Sequence, residues 1–194
     1  MSTNDKKKII VDAALGLFAE KGLSNVGMND ISEKSGIPLD DILAHYEIPG
    51  DILYETFKKG QRKMEEIFRE PVMGNMDNYM EVMFDGLEAA ISPWGPELYF
   101  NTLYQATKDK VLKDAFSRSS RNMGFAVKSF LAQMVAMSIV DEIENVEKVN
   151  NDLVTSFIEN MASCLEGFSI SDVKSKWVEN ASKMLNQSSS THVE

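Results

Sequence analysis

The chain has 194 residues, 43% of them hydrophobic and 26% charged, enough for an ordinary globular unit with a sizeable core. With 20 Lys and Arg against 30 Asp and Glu the net charge is −10, which argues against a nonspecific nucleic-acid coat protein. A single cysteine, Cys164, excludes a disulfide framework and a zinc ribbon, and no apolar run long enough to span a bilayer is present, so a soluble, cytoplasmic chain without a membrane segment is expected.

The first periodic segment pairs Ile9, Ala13 and Leu17 with Ile10, Ala14 and Phe18, two adjacent stripes that make one broad helical face, stopped at Gly22. Its apolar stretch is broken by Asp12 and leads to no small-residue cleavage site, so no signal peptide is expected. A short helix follows from about Asn29 to Ser35, closed by Gly36. A third begins at Leu39 after Pro38 and reaches about Tyr46. Asp51 opens a long fourth helix carrying Ile52, Leu53, Phe57, Met64 and Phe68.

Beyond Pro71 the pattern stays helical over Tyr79 to Ile91 and, after the breaker 92–96, over Glu97 to about Thr107. The segment 109–140 reads as one long helix or two collinear pieces. Val146 to about Phe168 has two apolar stripes, 153/157/161 and 154/158/162, too wide a face for one neighbour. Asp172 to Leu185 forms the last helix, and Ser188 to Glu194 reads as a polar tail that frays. Alternation of the strand type never persists, so the fold class is all-α.

Three short helices with a tight turn before the third are the helix-turn-helix plan, whose last helix enters the major groove. The run Ala13-Ala14-Leu15-x-Leu17-Phe18-Ala19-Glu20-Lys21-Gly22, followed by Asp30-Ile31-Ser32-Glu33-Lys34-Ser35-Gly36-Ile37, resembles the N-terminal signature of the tetracycline-repressor (TetR) family. That resemblance implies a DNA-binding domain over residues 1–50 and a larger helical ligand-binding and dimerisation domain over 51–194. It further implies a homodimer joined through the last two helices. Leu153, Phe157, Met161 and Trp177 are the interface candidates.

The recognition segment departs from the family pattern. Where members read Gly-Val-Ser-Lys-Gly-Thr-Leu-Tyr-x-x-Phe, this chain reads Gly36-Ile37-Pro38-Leu39-Asp40-Asp41-Ile42-Leu43-Ala44-His45-Tyr46, and Pro49 replaces a Lys at the start of helix four. The apolar framework is kept and the phosphate-binding chemistry is not. Residues 1–60 hold seven basic and ten acidic side chains, the reverse of a typical DNA-reading module. The DNA-facing candidates are Asn29, Leu39, Asp40, Asp41, Leu43 and His45. Three readings of Asp40 and Asp41 stand: favourable charge in a first helical turn, a negative surface for a basic protein, or DNA contact through cations. Lys6 to Lys8 read as a solvated terminus or a basic arm.

Aromatic and Met residues crowd the middle of the chain and suit an adaptable apolar interior, either an ordinary core or a ligand cavity. The ligand-pocket candidates are Tyr79, Trp94, Tyr99, Phe100, Asn101, Tyr104 and Asn122. The stretch from Trp94 to Gln105 holds no basic residue, so a neutral hydrophobic small molecule is expected rather than an anion. With His45 and His192 the only histidines, no metal cluster or nucleophile–base pair is assembled. Gly22-x4-Gly27 continues into Met28-Asn29, where a P-loop needs Lys and Ser or Thr. The expectation is therefore a ligand-responsive, homodimeric transcriptional regulator, a repressor by type and not an enzyme, with no cofactor and with operator affinity weakened by the acidic helix. The alternative is a dimer of the same fold that has lost operator binding and serves as a small-molecule- or protein-binding module.

Overall fold

The computed structural model describes residues 2–189; the end of the polar tail, with His192, lies outside the described residues. Nine α-helices occur among them: α1 Thr3–Lys21, α2 Met28–Ser35, α3 Leu39–Leu43, α4 Pro49–Arg69, α5 Met76–Ile91, α6 Pro96–Gln105, α7 Lys110–Ala136, α8 Val146–Ala162 and α9 Ile170–Ser189. No helix of the described residues is long and apolar enough to cross a membrane.

The helix ends follow from local chemistry. Ser2 caps α1 by accepting from the Asp5 N–H while the Asp5 carboxylate accepts from the Ser2 N–H. Asn75 and Asn78 form the same reciprocal pair at the start of α5. Third-helix length differs from expectation: α3 ends at Leu43 rather than near Tyr46, because the N–H groups of His45 and Tyr46 both turn back to the Ile42 carbonyl. The long helix α7 passes unbroken through Gly124 and stops at Ala136, four residues early, where Ser138 adopts φ 56° and the Ile139 N–H reaches the Met134 carbonyl. At the other end α9 continues through the serines expected to fray, as far as Ser189.

The chain forms two compact units, one of residues 2–59 and 93–119, the other of 60–92 and 120–189. They do not coincide with a division at residue 50. In the first unit α1 packs on α2 and on α6, so the helix-turn-helix shares its core with residues far along the chain. Ile10, Ala14, Phe18, Ile31, Ile42 and Ile52 are fully buried there. In the second unit α5, α8 and α9 pack together around Phe84, Phe157 and Trp177.

Candidate functional site

The turn between α2 and α3 is built by Gly36, which sits in the left-handed region (φ 68°, ψ 13°) and donates its N–H to the Ser32 carbonyl at 2.9 Å. Ser32 Oγ donates to the Ile37 carbonyl at 2.7 Å, and the Ile37 N–H donates to Ser35 Oγ at 3.2 Å. Pro38 follows without an N–H to satisfy, and its carbonyl accepts from Ile42. Ile31 and Ile42 anchor the two helices in the core with no exposed surface.

The six residues expected to face DNA fall on this element. Asn29, Asp40, Leu43 and His45 are exposed, while Leu39 and Asp41 are half-buried. Asp41 is held by Lys6 of α1, Nζ to Oδ2 2.6 Å. Lys6 to Lys8 are therefore part of a helix rather than a free arm, and Lys7 lies over the Tyr46 ring, 5.9 Å from its centroid. Tyr46 fills the place of the framework aromatic. Burial, with the Glu55 carboxylate beside it, pushes its hydroxyl up to about 12.

A polar clamp not expected from sequence secures the C-terminal end of α1. The buried Asp109 carboxylate accepts from the Ser24 N–H at 2.6 Å and, through its other oxygen, from Val111 and Leu112 at 2.9 and 3.1 Å, capping α7. Burial raises its pKa, and the donors at Ser24, Leu112 and Val111 outweigh that, leaving the carboxyl below its ordinary value. Gln105 Nε2 donates to the carbonyls of Ala19 and Glu20, both at 3.2 Å. The partners are about 85 positions apart, so no local spacing reveals them.

The pocket candidates divide. Trp94, Tyr99 and Phe100 join Phe57 and Phe116 in one aromatic cluster of the first unit, with ring centroids 5.1–5.9 Å apart. Within it the Trp94 indole N–H is buried without an acceptor, and burial pushes the Tyr99 hydroxyl up to about 12. Asn101 and Tyr104 point away from burial; Tyr104 is exposed and accepts from Lys108 Nζ at 3.0 Å. Tyr79 and Asn122 belong to the second unit, where Tyr79 donates to the Val72 carbonyl at 3.0 Å and Asn122 to Gln61 Oε1 at 2.9 Å.

The four interface candidates all lie inside the single chain. Leu153, Phe157, Met161 and Trp177 have no exposed surface in the single chain, because they form its own core with Phe84. The neighbouring stripe of Val154, Ile158 and Ala162 is half-exposed, and Leu165, Phe168 and Ile170 are exposed at 54%, 56% and 41%. Among the described residues no group of three His, Cys, Asp or Glu side chains is placed to hold a metal ion.

Residues 10–46 match the family model described as bacterial regulatory proteins, tetR family. A TetR-family transcriptional regulator from Syntrophomonas wolfei superposes with a TM-score of 0.76 at 12% identity, covering 95% of this chain and 97% of that one. Salmonella enterica GusR gives 0.70 at 14% identity over 96% and 98% of the two chains, and a SmeT–triclosan complex gives 0.68 at 13% over 98% and 94%. The fold is that of the TetR-family regulators. Among curated protein sequences none matches. The TetR fold gives the elements their places: α1 to α3 as the N-terminal helix-turn-helix domain, and the later helices as the larger helical part. Sequence identity this low leaves the chemistry to the residues themselves.

Proposed function

We propose that the chain is a TetR-type transcriptional regulator that acts as a homodimer and alters its operator binding when a small apolar molecule occupies it. The observation that carries this reading is the helix-turn-helix, matched by the tetR-family model over residues 10–46 within a chain that has the TetR fold along nearly its whole length. Dimerisation uses the outer stripe of α8 with Leu165, Phe168 and Ile170, since large apolar side chains exposed together over residues 154–170 normally meet a partner. The ligand site is the aromatic cluster around Trp94. A neutral hydrophobic molecule bearing one hydrogen-bond acceptor would satisfy the buried indole N–H, whose isolation costs about 1–3 kcal/mol. The triclosan held by SmeT is a precedent within the fold.

Operator recognition rests on few phosphate contacts. Each carboxylate placed near a phosphate costs on the order of 1 kcal/mol at intermediate dielectric, and Asp40 stands exposed on the recognition helix. Ligand control follows if the molecule binds more tightly to one of two arrangements of the dimer, because only differential affinity shifts the equilibrium.

Capture of genomic DNA on the protein in native cells tests the reading without presupposing an operator. Enrichment of a few discrete sites, lost when the turn is disrupted by Gly36→Val, is the expected result. No enriched site would leave a ligand- or protein-binding dimer. Light scattering should give twice the 21.7 kDa chain mass.

A further inference from the structure

Residues 39–48, which make up α3 and the turn into α4, contain Asp40, Asp41 and Glu47 and no Lys or Arg. Asp41 is neutralised within the chain by Lys6. Asp40 and Glu47 are exposed and have no ion-pair partner among the described residues. Between and beside them stand exposed apolar side chains: Leu43 is 44% exposed, Ile48 59% and Tyr54 65%, the last with Lys58 Nζ 5.6 Å from its ring centroid. The segment is not loose, because the Asp51 carboxylate accepts from the N–H groups of Glu47 and Ile48 at 2.9 and 3.0 Å and fixes the turn onto the start of α4.

Exposed leucine and isoleucine beside unpaired carboxylates form a surface with two requirements, apolar cover and positive charge. A nucleic-acid backbone meets neither: it repels the carboxylates and offers little apolar area. A helix or strand that presents Leu-type side chains flanked by Lys or Arg meets both, as amphipathic segments do in apolar grooves.

We propose that the face formed by Leu43, Ile48, Tyr54, Asp40 and Glu47 docks a cationic amphipathic segment of another protein. The docked segment covers the recognition helix, so its binding excludes operator DNA and the partner acts as an antagonist of DNA binding. This goes beyond control by a small molecule, since the partner acts at the helix-turn-helix itself.

The test uses the full chain in physiological salt and a fluorescent helical peptide of Leu and Lys at amphipathic spacing, with binding followed by anisotropy. Two double variants divide the face, Leu43→Ser with Ile48→Ser and Asp40→Asn with Glu47→Gln. All four side chains are exposed, and circular dichroism checks the fold. A third variant, Glu142→Gln with Glu144→Gln, removes the same charge from an exposed loop elsewhere. Each face variant should weaken binding by about tenfold or more and the loop variant by less than about twofold. A photo-reactive version of the peptide should crosslink wild-type protein within residues 39–54, a readout that needs no substitution. The proposal is overturned by any of four results: face variants that bind like wild type, a loop variant that loses as much, a Lys-only peptide that binds as tightly, or random duplex DNA that binds this face more tightly than the peptide.

Discussion

In the unit of residues 2–59 and 93–119, polar side chains tie helix ends together: buried Asp109 to the Ser24 turn, half-buried Gln105 to the end of α1. Both units hold an aromatic group in the core; in the unit of 60–92 and 120–189 two helices also meet backbone to backbone. Phe84, Phe157 and Trp177 form one aromatic group, and a Cβ at Gly60 would run into the Ala90 carbonyl oxygen. Its polar links between helices, Lys174 to Asp85 and Ser182 to Asp77, join side chain to side chain, whereas those of the first unit hold backbone groups. A structure tied at its helix ends depends on the charge state of a few groups. One held by close packing depends on volume, so substitutions separate the two.

The largest expected effect is Phe157→Ala, which empties the centre of the second unit and should cost about 3–5 kcal/mol in chemical denaturation. Ile158→Ala, its neighbour on the outer stripe of α8, should change stability little at low concentration and weaken dimerisation in light scattering. Equal stability losses for the two would mean that α8 buries both stripes within one chain.

Next comes Gly60→Ala. The added methyl meets a backbone carbonyl rather than a flexible side chain, so α4 and α5 must part, at about 2–3 kcal/mol. A melting temperature equal to wild type would show that the helices separate at no cost, and the account of that packing would fail.

The helix segments were readable in the sequence because their stripes recur every three to four residues and their ends carry Gly, Pro or Asn. The helix-turn-helix was readable for the same reason, with Ile31 and Ile42 marking its two inward faces. What was not readable depends on three-dimensional proximity. Two apolar stripes on α8 are equivalent by periodicity, and only the presence of Phe84 and Trp177 beside one decides that 153/157/161 faces inward. Asp109 looks like any acid before a helix until Ser24 is placed against it. Among the pocket candidates, aromatic residues near each other in sequence did converge, whereas Asn101 and Tyr104 on the same helix α6 as Tyr99 face outward, as a turn of 3.6 residues requires.

Asp109→Asn probes the polar ties of the first unit. Amide replacement keeps one acceptor and turns the other toward the Ser24 or Val111 N–H as a donor, so about 1–2 kcal/mol should be lost at neutral pH. The pH dependence has a definite sign. The folded carboxyl titrates below its ordinary 3.8, so the wild-type advantage is complete above that value and disappears as pH falls through the folded one. Denaturation midpoints of the two proteins should therefore converge toward acid. A gap that stays constant from neutral pH to below 3.8 would show that the carboxylate charge is not what holds the turn.

The smallest effect concerns two tyrosines of α6. Tyr104, exposed, accepts a hydrogen bond from Lys108 and lies beside its charge, both of which lower its pKa from 10.0. Tyr99, five residues earlier, is buried against Phe116 and is pushed up to about 12, in company with Tyr46 near α3. Ultraviolet titration of the folded protein should show tyrosinate appearing in separate steps, with Tyr104 ahead of Tyr46 and Tyr99. Tyr104→Phe should delete that step without moving the melting temperature, and Lys108→Met should shift it upward. The buried pair acts on stability in the opposite sense to Asp109. A phenol kept neutral in the folded state and free to ionise once unfolded stabilises the fold fully below pH 10, and that contribution falls away between 10 and about 12. Replacement of Tyr99 by Phe removes its share of the alkaline loss, so the variant should melt at the higher temperature of the two above pH 10 if the cluster is closed to solvent. If the variant and wild type lose stability in parallel there, Tyr99 ionises in place and water already enters the cluster around Trp94.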